Sequence, residues 1–241
     1  MIGEMKQKQK HPLCRALKRG RIHAWIAAAN INQFQTLITE GETYNVHNFV
    51  VRQYGSMKTY RCFQNDVFIQ LYHMTELFVA EGVDYIPRHM FHFTDLSAIM
   101  DLARESNFLI DVVGIVQQVQ PLSTYRNKYN QLKYSIEITI NDMLFVFIFY
   151  ITSAQVIFYD EMEQSINHEV HNAGQHPVIV VLSSVKARLI QGEAKLTNYS
   201  PTRFFINLDH EAVGDLRDAF RYKLGIFETL ESYKLANWRL H

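Results

Sequence analysis

Cysteine is almost missing from this sequence: Cys14 and Cys62 are the two among 241 residues. Two thiols build neither a disulfide framework nor a four-ligand zinc site, because no second cysteine pair exists to make a zinc ribbon. Net charge is missing too, since Lys plus Arg and Asp plus Glu each number 24. A neutral chain sets up no global field for polyanions, so any nucleic-acid site must come from local clustering. No run of about 18 apolar residues exists; the stretch from Met143 to Ile151 is too short to span a bilayer and reads as a buried strand. The first 21 residues lack an apolar core of signal-peptide length, so an intracellular, reducing compartment and no membrane partner are expected. Eleven histidines, with His168 close to His171 and His176, do not make a zinc site without cysteine partners or a placed carboxylate. Gly-rich phosphate loops, nucleophile elbows and paired-carboxylate motifs are also missing. No catalytic residue, metal, cofactor or small-molecule substrate is therefore expected, and the chain reads as a binding protein rather than an enzyme.

What is present suits a folded chain of one or two domains. Hydrophobic residues make up 48% and charged residues 20%, well outside the range in which chains stay disordered. Residues 1–21 form a basic tail carrying Lys6, Lys8, Lys10, Arg15, Lys18, Arg19 and Arg21. Such a run reads as a solvated terminus, with a nuclear-import signal or a phosphate-contacting arm as the functional alternatives. From Ile22 the pattern alternates as a strand, and Ile31, Phe34 and Ile38 then fall at helical spacing before Gly41 stops the helix. Strands follow over TYNVHNFVV and from Tyr60 to Leu71. Thr94 or Asp95 is placed to cap a connecting helix bearing Leu96, Ile99, Met100 and Ala103.

The second half reads as five strands. The first is FLIDVVGIVQQVQPL, with a bulge or bend expected at Gly114, and a polar loop STYRNKYNQ follows it. LKYSIEITI and MLFVFIFYI flank a hairpin turn expected at Asn141 and Asp142, and the polar stretch Gln155 to Asn172 is expected to hold a short helix and a surface loop. PVIVVLSSVKARLI and EAKLTNY, joined at Gln191 and Gly192, complete the set. Five strands with a helix between the third and fourth is the order of an oligonucleotide-binding (OB) barrel, a partly open Greek-key sheet.

An ordered series of segments carries more. GRIHAWI is followed by F-x-x-L-I-x-E-G-x-x-Y from Phe34 to Tyr44, NFVV, and Tyr60 with Arg61; then come FHF at Phe91 to Phe93, LIDVVGIV, PVIVVL and TRFFINLD. Together, over about residues 20 to 220, they resemble the plant family of replication protein A 70 kDa DNA-binding subunits, including its truncated and transposon-related members. The resemblance implies a mainly β chain of two tandem OB-fold barrels, the first truncated at its N-terminus, with a connecting helix and a C-terminal helix. The divisions it implies are a tail at 1–21, a truncated first OB fold at 22–88, a connecting segment at 89–107, a second OB fold at 108–209 and a terminal helix at 210–241. It further implies single-stranded DNA binding in replication, repair or recombination in the nucleus, with other replication protein A subunits as possible partners through the terminal helix. A degenerate OB fold that binds protein instead is the alternative, because several stacking positions of the family lack rings here.

Grooves in this family combine phosphate-tracking Lys and Arg with stacked aromatic rings. Candidate nucleic-acid-binding residues are His23 and Trp25, which share a strand face, Arg61 in a family signature, and Lys128 and Lys133, which bracket the loop between the first two strands of the second barrel. Tyr150 is the nearest aromatic substitute for the family's Leu-Trp-Gly segment. Lys186 and Arg188, two apart on one strand, complete the candidates. Arg203 is a further basic position, which a carboxylate such as Asp209 could use to anchor the terminal helix.

Overall fold

The computed structural model describes residues 20–54, 61–62, 65–81, 86–105, 108–142 and 152–222. The expectations for the tail before residue 20, for a strand over 143–151 including Tyr150, and for the terminal helix beyond residue 222 lie outside these residues. The chain divides into two units between Phe91 and His92.

In the first unit, β1 (Ala24–Ile26) leads through a single 3-10 turn into α1 (Ile31–Gln35), followed by β2 (Tyr44–His47), β3 (Val50–Gln53), β4 (Val67–Leu71) and β5 (Glu76–Val79). β1 runs parallel to β4, and β4 pairs antiparallel with β3. β2 and β5 form a separate antiparallel pair. The continuous strand expected across Tyr44 to Val51 is broken at Asn48, whose φ of 58° lies in the left-handed region that Asn tolerates better than most residues. Phe34, Ile69 and Leu71 form the core, with Ala24 and Ile26 packed against it. Ile31 does not join them and is 46% exposed, because the helix is five residues long and turns Phe34 inward.

The second unit contains α2 (Ile99–Glu105), β6 (Ile110–Val119), β7 (Ser123–Arg126), β8 (Leu132–Asp142), β9 (Thr152–Tyr159), α3 (Glu161–His171), β10 (Ile179–Ile190), β11 (Glu193–Thr197) and β12 (Arg203–Ile206). Residues 211–222 form a further helix, α4. Hydrogen-bonded neighbours run β11, β9, β8, β6 and β10, and β10 pairs back to β11, so five strands close a ring. The β9 to β11 contact is parallel and the other four are antiparallel. This is an OB-fold-like topology, carried in a mixed α/β chain with connecting and C-terminal helices. Alternation drives it: Ile136, Ile138 and Ile140 of β8 and Ala154, Val156 and Phe158 of β9 point into one core with Val185, Ala187 and Leu196. Ile166, fully buried, and its neighbours Met162 and Val170 bring one stripe of α3 against that core.

Three local expectations are corrected. Asn141 and Asp142 do not turn: they continue β8, opposite Ser153 and Thr152, and both are buried. The third strand of the ring is therefore Thr152–Tyr159, so Gln155 to Tyr159 is strand rather than helix or surface loop. Gly114 pairs in register with Val180, and the register shift in the β6 to β8 pairing falls between Val116 and Gln118. Glycine serves close approach here, since a Cβ at 114 would stand 3.0 Å from the Asn141 carbonyl oxygen and 3.0 Å from the Ile140 Cβ.

The chain enters this unit through an acidic clamp. Buried Asp111 on β6 accepts hydrogen bonds from the His92 N–H (3.0 Å), the Ser183 hydroxyl (2.8 Å) and the Ser184 N–H (3.0 Å). The last two lie within the β10 register shift between Leu182 and Val185. The Thr94 N–H donates to the Asp111 carbonyl at 2.8 Å.

Candidate functional site

A groove in the second unit is bordered by the β7 to β8 hairpin and by the β10 to β11 hairpin. Asn127 organises the first tip: its side-chain oxygen accepts the N–H groups of Tyr129 (2.9 Å) and Gln131 (3.0 Å), and Arg126 donates to the Asn130 carbonyl at 2.9 Å. The second tip is the two-residue turn Gln191 and Gly192, with φ of 54° and 87°. Positive φ at both positions is the backbone twist that suits a tight hairpin. Its placement agrees with the joint expected from sequence.

The floor consists of outward-facing residues whose strand neighbours face the core. Ser135 and Glu137 of β8 lie opposite Tyr159 and Ile157 of β9, and Lys195 of β11 follows beside them. Tyr159 meets Tyr125 of β7 edge to face, with ring centroids 5.2 Å apart, a favoured arrangement of ring quadrupoles. The Tyr159 backbone is held from one side chain: its N–H donates to Asn198 Oδ1 at 2.9 Å, and Asn198 Nδ2 donates back to its carbonyl at 3.3 Å. Burial, the Asp160 carboxylate and Tyr159 raise the Tyr125 pKa against the opposing pull of Lys133. Tyr134 and Tyr199 also line the groove.

The sequence-derived residues separate into groups. Lys133 lines the groove, with its ammonium 3.1 Å from Asp160 Oδ1. Lys128 sits at the hairpin tip, 4.9 Å from the Tyr129 ring centroid, a cation–π contact on an exposed ring. Lys186 and Arg188 are on β10 outside the groove lining, where Arg188 is exposed and Lys186 is 4% exposed. Burial, with the Arg188 charge, lowers the Lys186 pKa. Tyr150 lies outside the described residues. The aromatic residue at the end of the ring's third strand, just before the helix, is Tyr159.

His23, Trp25 and Arg61 come together in the first unit, with Tyr54 and Phe68. Trp25 is 48% exposed on the sheet face opposite Ile69 and Leu71, and its ring centroid is 5.9 Å from that of Phe68. Arg61 stands over Tyr54 at 4.2 Å, and His23 Nδ1 lies 3.0 Å from the Tyr54 hydroxyl. Burial lowers the His23 pKa. Arg203 donates to the Thr202 carbonyl at 3.0 Å, while α4 is tied down by Arg217, which donates to Asn207 Oδ1 at 3.0 Å.

Among the described residues, no group of three or more His, Cys, Asp or Glu side chains could hold a metal ion, and no helix is long and apolar enough to cross a membrane. No protein-family model matches the sequence. A 70 kDa DNA-binding subunit of replication protein A from Arabidopsis thaliana is 28% identical over 125 residues, which are 52% of this chain and 15% of that protein. A chain in the structure of a replication protein A heterotrimer bound to ssDNA matches with a TM-score of 0.56 and 20% identity, over 83% of this chain and 44% of that one. At that identity the likeness establishes the fold. This chain thus spans well under two thirds of either relative. The chain carries an OB fold and is similar in sequence, over those 125 residues, to a 70 kDa DNA-binding subunit of replication protein A.

Proposed function

We propose that the protein holds single-stranded DNA in the groove of the second unit, as a binding protein and not an enzyme, in replication, repair or recombination in the nucleus. The observation that carries this is Tyr159 on the groove floor, its backbone held by Asn198 and its ring buttressed by Tyr125 between two hairpins. A ring held in place offers a stacking surface to any base, and such stacking is worth roughly 1–3 kcal/mol per base. Lys128 at the hairpin tip supplies positive charge at the rim, and the relationship to a DNA-binding subunit supports the same reading. The first unit, with Trp25 half exposed and Arg61 and His23 against Tyr54, offers a separate candidate surface for bases. Helix α4 is the described part of the terminal segment through which further subunits would associate.

Titration of labelled oligo-dT against duplex of equal length tests the proposal. The parent is expected to prefer the single strand, and Tyr159→Ala to weaken binding by about 1–3 kcal/mol. Equal affinity of parent and Tyr159→Ala for oligo-dT removes the groove from the account.

A further inference from the structure

The cations on the groove floor are engaged before any ligand arrives. Lys133 Nζ lies 3.1 Å from Asp160 Oδ1, and Lys195 Nζ lies 3.0 Å from Glu137 Oε2 and 3.7 Å from Glu193 Oε2. Among the described residues around the groove, the lining lysines Lys133 and Lys195 face four lining carboxylates, Glu137, Asp160, Glu161 and Glu163. The lining is therefore net negative where a phosphate backbone would approach, although the rings beside it suit bases. Like charge at close range opposes binding, and a carboxylate on an ammonium occupies the position that a phosphate oxygen would take.

Resting on the reading of this groove as a single-strand site, we propose that Asp160 and Glu137 are built-in competitors of the DNA backbone. In the free protein they occupy Lys133 and Lys195, and a bound strand takes these lysines only by displacing them. The two pairs differ in how readily they yield. The Lys133 and Asp160 side chains are 42% and 57% exposed, so their pair is solvated and breaks at little cost. Lys195 and Glu137 are 15% and 23% exposed, so that pair is more shielded from water and holds more firmly. Asp160 is thus the competitor that a strand displaces more readily, and it is the residue next to the stacking ring. Asn is the neutral isostere of Asp, so the substitution removes the charge and keeps the side-chain shape.

The test is oligo-dT titration across a salt series with the full chain. Asp160→Asn is expected to bind about fivefold more tightly at low salt, about 1 kcal/mol, and to steepen the slope of log affinity against log salt by about 0.7, one phosphate on a single strand. Adding Lys133→Gln to Asp160→Asn should return both quantities to near the parent values. Glu137→Gln serves as the second variant and should also tighten binding. Glu169→Gln, which removes an exposed carboxylate of α3 outside the groove lining, should bind as the parent does. Unchanged affinity and slope in both Asp160→Asn and Glu137→Gln overturn the competition while leaving the groove as the site. An equal gain in Glu169→Gln overturns it as well, by showing a general charge effect. Absence of oligo-dT binding by the parent and every variant overturns both the competition and the function on which it rests.

Discussion

Removal of the Asn198 side chain tests whether Tyr159 acts as a held ring or merely as an exposed one. Asn198→Ala deletes the acceptor of the Tyr159 N–H at 2.9 Å and the donor to its carbonyl at 3.3 Å. Each bond contributes about 0.5–1.5 kcal/mol net, the longer one at the lower end, so the loss should be about 2 kcal/mol. In a unit of this size each kcal/mol corresponds to about 2–4 °C, which gives a fall in Tm of about 4–8 °C. Asn198→Asp keeps the acceptor and loses the donor, so about half of that fall is expected. The second readout separates positioning from mere stability: below the melting range, Asn198→Ala should weaken oligo-dT binding with no change in salt slope, because a ring is displaced and no cation is lost. Calorimetry and fluorescence titration on the same preparations measure both. A variant that melts within about 1 °C of the parent shows that Asn198 does not hold β9. A variant that melts early yet binds as the parent does shows that the position of Tyr159 is irrelevant to the ligand.

Two further outcomes concern the ring of strands itself. Gly114→Ala should destabilise the second unit by about 1–3 kcal/mol, because the new Cβ meets the Asn141 carbonyl and Ile140 at 3.0 Å; an unchanged Tm would show that β6 and β8 separate at no cost. Asp142 is buried with both carboxylate oxygens lacking a hydrogen-bond partner among the described residues. Burial raises its pKa above the usual 3.8, against a smaller downward pull from the nearby Thr152 and Leu96 N–H groups that fall short of hydrogen-bond geometry. The folded state then holds a proton that the unfolded state has released, so stability falls as pH rises above the ordinary carboxylate value. Asp142→Asn should therefore gain Tm relative to the parent on going from about pH 3.5 to pH 7, and an offset that is the same at both ends refutes the assignment.

Strand order and the topology of the second unit are legible from the sequence because alternation at Ile136, Ile138 and Ile140 marks one buried face. The end of that strand is not. Asn141 and Asp142 have the composition of a turn, but their place opposite Ser153 and Thr152 in a buried ladder overrides local preference. That error places the third strand over Met143 to Ile151, whereas the strand that pairs with β8 runs from Thr152 to Tyr159. A usable signal is present: Ser153, Gln155, Ile157 and Tyr159 share one parity, and the acidic pair Asp160 and Glu161 begins the helix immediately after. Lys133 is legible as a groove residue from its place beside the hairpin loop. Its partner Asp160 is not, because 27 positions in sequence separate two side chains that sheet pairing brings to 3.1 Å. Tertiary pairing of that kind leaves no periodic trace.

The Asp111 clamp changes where this molecule can be cut. Sequence reasoning starts the second barrel at Phe108, after the connecting helix. A fragment beginning there would lack the His92 N–H that the Asp111 carboxylate accepts and the Thr94 N–H that its carbonyl accepts. It would also strip Leu96 and Ile99 from the interior that they share with Ile136 and Leu196. The connecting segment is thus a wall of the second unit, and modular exchange between proteins of this architecture should carry the whole length from His92 onward as one inheritable block.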